Sequence, residues 1–145
     1  MIKISIASDH AGFQLKEDLK KHFKNDYDFV DYGTDSSESV DYPDFAHKLA
    51  KQISKKKESF GILICGSGIG MSIVANRYKY VRAALCLNEN MAKLSREHNN
   101  ANILVLGSRL ISCEEAIKCF NMFFKSKFEG NRHQARLDKF NNVKI

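Results

Sequence analysis

Cys65 heads the run Gly66-Ser67-Gly68-Ile69-Gly70, a thiol followed by glycine at every second position. Glycine lets a backbone approach a ligand closely, and successive N–H groups at the start of a helix make a cradle for an anion. A thiol beside such oriented amides is favoured as the thiolate, and Ser67 is within reach to hydrogen-bond it. Together they could take a proton from carbon while the amides hold the oxyanion that results. The competing reading is a cysteine packed at the end of a buried strand. The run has neither the GxGxxG spacing of a dinucleotide site nor the Gly-Lys-Ser/Thr of a nucleoside-triphosphate loop, so neither ligand is expected.

Four further groups of residues could serve such chemistry. Ser8-Asp9-His10-Ala11-Gly12 places an acid and an imidazole just before a helix, where Asp9 reads equally as a helix cap. Tyr42 is held extended by Pro43 and could reach a ligand from its loop. His98 and Asn99 close a polar helix end, where both residue types also serve as caps. Arg109, Arg132 and Arg136, with His133 nearby, could grip a phosphate, although each alone is an ordinary surface arginine. Cys86, Cys113 and Cys119, and likewise His22 and His47, read as packing or surface residues. No CxxC pair or zinc-ligand spacing occurs, so no metal is expected.

The elements that must position these groups follow from periodicity. Ile2–Ser8, Phe29–Tyr32, Phe60–Cys65, Arg82–Leu87 and Ile103–Leu106 read as strands, with Phe60–Cys65 apolar throughout as a central strand requires. Between them lie helices at Ala11–Lys24, from Pro43 with Phe45, Leu49 and Ile53 inward, from Gly70 to about Arg77, and at Glu89–Glu97. A capping box at Ser112–Glu115 opens another helix, and Asn131–Phe140 is a last basic segment. The Lys55-Lys56-Lys57 run suits a helix C-terminus. Alternating strands and helices predict one α/β domain over residues 1–145, a three-layer sandwich with a five-stranded parallel sheet. Ligands bind such sheets at the C-terminal strand ends, where Asp9, Cys65 and Arg109 fall. The Glu89–Glu97 helix descends about 12 Å against about 17 Å for a five-residue strand. His98 and Asn99 thus end far from Cys65 of their own chain, so if they are to serve the same site a second copy must supply them.

The 145 residues carry a net charge of +6, with 43% hydrophobic and 28% charged residues. That balance excludes a disordered or fibrous chain, and no apolar run reaches the roughly 20 residues that span a bilayer. The opening Met1–Ile6 has no signal-peptide pattern, so a cytoplasmic protein without a membrane partner is expected. The positive charge suits a phosphorylated substrate or nucleic acid. An interleaved aromatic platform for RNA is lacking, so no nucleic-acid partner is expected.

The blocks Ser8–Gly12, Asp41–Ala46, Cys65–Ser72, Ala75–Arg77, Glu97–Asn99, Leu106–Arg109 and Gly130–Arg136, in that order, resemble the ribose-5-phosphate isomerase type B family, which includes the galactose-6-phosphate isomerase subunits. The resemblance implies a flavodoxin-like strand order 2-1-3-4-5 and cofactor-free, metal-free interconversion of ribose 5-phosphate and ribulose 5-phosphate. It implies Cys65 as the base moving a proton between C1 and C2, since Met71 stands where other members carry a glutamate. It further implies that Ser67 assists the thiol, that Gly66, Gly68, Ile69 and Gly70 lend amides to the enediolate, and that His98 opens the ring. Asp9, Asn99 and Tyr42 would contact the sugar; His10, Arg109, Arg132 and Arg136 would hold the phosphate. A homodimer or dimer of dimers with shared sites is implied too. Many members have asparagine where this chain has Ile69, which bears on sugar choice. The alternatives are an allose or galactose 6-phosphate isomerase, or a non-catalytic sugar-phosphate sensor on the same fold.

Overall fold

In the computed structural model, residues 1–56 and 59–145 are described; Lys57 of the predicted lysine run lies outside them. The elements follow in the order β1 (Ile2–Ser8), α1 (Phe13–Phe23), β2 (Tyr27–Asp31), α2 (Tyr42–Lys55), β3 (Phe60–Cys65), α3 (Ile69–Ala75), β4 (Ala83–Leu85), α4 (Glu89–Glu97), β5 (Ile103–Gly107), α5 (Cys113–Lys125) and α6 (Arg132–Leu137). Alternating side chains of each strand serve opposite faces. Ile4 and Ile6 of β1 and Ile62 and Ile64 of β3 pack with Leu15, Leu19 and Phe23 of α1 and with Phe120 and Phe123 of α5. Ala7, Leu63 and Cys65 pack on the other face with Leu49 and Ile53 of α2 and Met71 of α3. Phe23 and Phe120 stack at 3.8 Å, joining α1 to α5.

All pairings are parallel, and the order is β2-β1-β3-β5-β4. The expected order 2-1-3-4-5 is therefore corrected in its last two strands. Crossover handedness gives the reason. Right-handed connections in one sheet use one face when the chain moves one way and the other face when it moves back. α2 and α3 share a face, so β2→β3 and β3→β4 step in one direction. α4 packs with α5 on the α1 face, so the chain steps back and inserts β5 between β3 and β4. The residues agree with this: ILVLG of β5 is buried throughout, as an interior strand must be, whereas β4 is three half-buried residues at the edge. The strand expected over Arg82–Leu87 is shorter for that reason.

Candidate active site

The register sets Ser8 beside Ile64 and Cys65 beside Gly107, so β1, β3 and β5 end together. Between β1 and β3 the connections diverge to opposite sides of the sheet, the point where such folds open a crevice. A cleft of about 590 Å³ lies there, lined by Asp9, His10, Tyr42, Cys65, Gly66, Ser67, Ile69, Gly70 and Arg109 among others. The sequence placed all nine in one site, and the fold brings them together.

The thiol sits in a built surround. Cys65 is buried, and the Gly68 N–H donates to its Sγ at 3.1 Å. That bond needs the chain to reverse immediately after the strand, and Gly68 does so with φ +78°, a conformation side chains resist. The Ile69 N–H donates to Ser67 Oγ at 3.2 Å, which leaves the serine hydroxyl hydrogen free to donate. Two amides of the expected cradle are thus engaged with the thiol and the serine. Gly70 lies directly under the Tyr42 ring, where any Cβ would overlap the phenol. Arg109 folds over Gly66, its Nη1 3.0 Å from where a Cβ would stand, and its N–H donates to the Gly66 carbonyl at 2.9 Å.

At the other wall, Asp9 is buried and its Oδ1 accepts the Gly12 N–H at 3.0 Å, so the carboxylate both caps the turn and lines the cleft. His10 Nδ1 accepts the Val40 N–H at 3.1 Å. An acceptor Nδ1 leaves the neutral ring's proton on Nε2, making His10 a donor. The sequence offered no sign of this bond, because its donor is backbone in an irregular loop. Also unread were Ile73 and Leu110 in the cleft wall, although Ile73 follows Ile69 by one helical turn. Lys16 of α1 is 1% exposed; its Nζ donates to both Asp31 oxygens at 2.8 and 2.7 Å and to the Thr34 carbonyl at 2.6 Å. It pins the start of the loop that carries Val40.

Of the remaining cysteines, Cys86 and Cys119 are packed in the core. Burial pushes the Cys86 thiol up to about 11. Burial, then the neighbouring Cys86, Glu115 and Glu89, push Cys119 up to about 12. Cys113 is exposed.

His98, Asn99, Arg132 and Arg136 do not line this cleft. The loop after α4 lies at the N-terminal ends of the strands, where Asn102 receives the Gly61 N–H on its carbonyl and the Arg82 N–H on its side chain. The length of β3, about 20 Å, separates it from Cys65. There His98 stacks on His133 of α6 at 4.3 Å, Nε2 of His98 lies 3.5 Å from Glu129 Oε1, and Asn99 lines a second cavity with Arg82 and Phe140. His98, Glu129 and His133 bring ligand-type atoms within 4.8 Å of one another, a grouping that sequence spacing had not suggested. Burial, then His98 and Arg132, lower the His133 pKa from its ordinary value.

Residues 4–140 match the ribose/galactose isomerase family. The chain belongs to that family. Ribose-5-phosphate isomerase B of Escherichia coli is 40% identical over 139 residues, covering 95% of this chain and 93% of that protein. A ribose 5-phosphate isomerase structure from Thermotoga maritima superposes with a TM-score of 0.94 at 52% identity, covering 98% of this chain and 99% of that one. The Mycoplasma genitalium ribose-5-phosphate isomerase B, solved with ribulose 5-phosphate bound, gives 0.93 at 44% identity, covering 97% and 95%. Among the described residues no helix is long and apolar enough to cross a membrane.

Proposed function

We propose that the chain interconverts ribose 5-phosphate and ribulose 5-phosphate, with Cys65 as the base. The observation that carries this reading is a buried thiol, its Sγ accepting the Gly68 N–H, that opens onto a cleft with an imidazole donor and an arginine. The thiolate takes the C2 proton of the open-chain aldose. The electron pair forms the C1–C2 double bond, and the charge on the former carbonyl oxygen meets the 66–70 amides not engaged with Cys65 and Ser67. A proton passes from the C2 hydroxyl to that oxygen, and the thiol returns its proton to C1 to give the ketose. Ser67 keeps the sulfur oriented, while Asp9 and Tyr42 face the sugar hydroxyls. His10 and Arg109 hold the phosphate, whose binding fixes the reacting carbons from a distance.

The rest of the site comes from a second copy. His98 opens the furanose ring, Asn99 binds a sugar oxygen, and Arg132 and Arg136 complete the phosphate grip. Their placement at the opposite end of β3 supports sharing across a two-fold. So does the exposure of Ile69 (52%), Ile73 (54%) and Leu110 (55%) at the cleft, with Leu87, Met91 and Leu94 exposed around α4. A coupled assay with ribose 5-phosphate, allose 6-phosphate and galactose 6-phosphate, run with chelator, tests the reading. Ribose 5-phosphate should turn over, and Cys65→Ala should lose about 10²–10⁴ of that rate while still binding phosphate. Turnover of none of the three sugars, or full activity after alkylation of Cys65, refutes it.

A further inference from the structure

We propose that Glu129, a residue with no part in the chemistry described so far, is a positioning residue that orients His98 for ring opening and faces the charge it takes up in that step. The proposal rests on the assignment of His98 to that step. Glu129 Oε1 stands 3.5 Å from His98 Nε2, and both side chains are partly exposed, so the pair can tighten when the ring takes a proton. The backbone fixes the approach: the Glu129 N–H donates to the Glu97 carbonyl at 3.0 Å, fastening the segment before α6 to the last turn of α4, next to His98. His133 closes one face of the His98 ring by stacking at 4.3 Å and 16° between planes. The ring is therefore stacked on one face by an imidazole and has a carboxylate within ion-pair reach of one edge.

Electrostatics gives the carboxylate its purpose. His98 takes the proton of the anomeric hydroxyl as the C1–O4 bond breaks, and returns a proton to O4. It passes through an imidazolium. Beyond burial, Arg132 and Arg136 of α6 join His98 in lowering the pKa of His133, and Glu129 acts against them, so the neighbourhood resists a further positive charge except at the carboxylate. On its own helix, Glu97 is paired with Lys93 at 4.0 Å. Glu129 is thus the acid that can offset an imidazolium on His98. A carboxylate accepting from Nε2–H also leaves Nδ1 as the basic nitrogen, the arrangement by which an acid sets a catalytic imidazole's tautomer. The same three side chains span a distance that would admit a divalent ion. Two nearly parallel rings, however, cannot both aim their lone pairs at one ion as they stand, and the arginines oppose a dication.

Ribulose 5-phosphate separates ring opening from proton transfer. Its O5 is esterified, so it cannot close a furanose on C2 and needs no opening. The experiment compares Glu129→Gln with wild type in two assays: conversion of ribose 5-phosphate, and deuterium exchange from D2O into C1 of ribulose 5-phosphate followed by NMR. Glu129→Gln should slow conversion at least about tenfold and leave exchange within about twofold, since only the first assay uses the His98 imidazolium. His98→Ala should show the same split more strongly, and Cys65→Ala should lose both. Equal loss in both assays with Glu129→Gln would make Glu129 structural and overturn the proposal, as would no loss in either. Loss of wild-type conversion on adding chelator would overturn it in favour of a metal site. If His98→Ala converts ribose 5-phosphate normally, the ring-opening assignment itself fails, which is distinguishable from failure of Glu129 alone.

Discussion

Mixing Cys65→Ala with His98→Ala tests whether each active site is built from two chains. The two residues lie at opposite ends of β3, about 20 Å apart along the strand alone. Each homogeneous variant lacks one essential group in every site, so each should fall to about a hundredth of wild type or less. In a mixed dimer the damaged residues fall together in one site. The other site receives an intact Cys65 from one chain and an intact His98 from its partner. Random pairing of equal amounts makes about half the dimers mixed, each with one working site of two, so activity should return to about a quarter of wild type. The two proteins are unfolded, combined and refolded, native mass spectrometry measures the mixed fraction, and the coupled assay reads turnover per chain. If mixed dimers form and activity stays at the level of the separate variants, the shared-site reasoning is wrong.

Three further outcomes follow from the geometry. Gly70→Ala should raise KM for ribose 5-phosphate by about tenfold or more, because its methyl must displace the Tyr42 ring; steady-state kinetics with Tyr42→Ala/Gly70→Ala, where the overlap is gone, should recover part of the loss. Asp31→Asn should cost about 3–5 kcal/mol by leaving Lys16 charged, buried and half-paired. Burial raises the Asp31 pKa, but hydrogen bonds from Lys16, Lys20 and the Gly33 amide outweigh it and bring it below 3.8. The carboxylate's contribution is therefore complete above that value and lost as pH falls through the lower folded pKa, so a urea-melt series should show acid sensitivity in wild type that the variant lacks. Native alkylation at pH 8 should spare Cys86 and Cys119, whose thiols are buried and titrate near 11 and 12, and should modify exposed Cys113; mass mapping that finds Cys86 or Cys119 modified first would contradict their packing.

How far the residues foretold this arrangement depends on the range of the interaction. β1, β3 and α4 have the bounds that hydrophobic pattern assigns them, because burial on both faces or a capped amphipathic turn writes itself locally. The lining of the cleft was legible for a related reason: strand-end residues of a parallel sheet share one edge whatever the order of the strands. Order was not legible. RAALCL and ILVLG both read as strands, and only the uninterrupted burial of the second marks it as interior. Lys16 was missed because its partner Asp31 is 15 residues away on a strand, so nothing local announces that a lysine on a helix is buried. The Val40–His10 bond joins backbone to side chain over 30 residues, and no side-chain pattern encodes it.

The strand order also bears on why the site should be divided. Had β4 and β5 followed β3 outward in sequence, right-handed crossovers would have put α4 on the face of α2 and α3. Instead α4 lies with α1 and α5, and its C-terminal end meets α6 through the His98–His133 stack and the Glu129 tether. His98 thereby clusters with Glu129 and His133, with Arg132 and Arg136 on the same short helix as His133, while Asp9, His10, Tyr42, Cys65 and Arg109 form another cluster at the opposite end of the sheet. No hinge within one small domain can bring those clusters together without breaking the β3–β5 ladder between them. A two-fold axis would do so without distortion, and the exposed Ile69 and Ile73 of α3 and Met91 and Leu94 of α4 are the apolar surface that such a pairing would cover. In the function proposed above, assembly would therefore complete the catalytic constellation, and the Cys65→Ala/His98→Ala mixing experiment decides it.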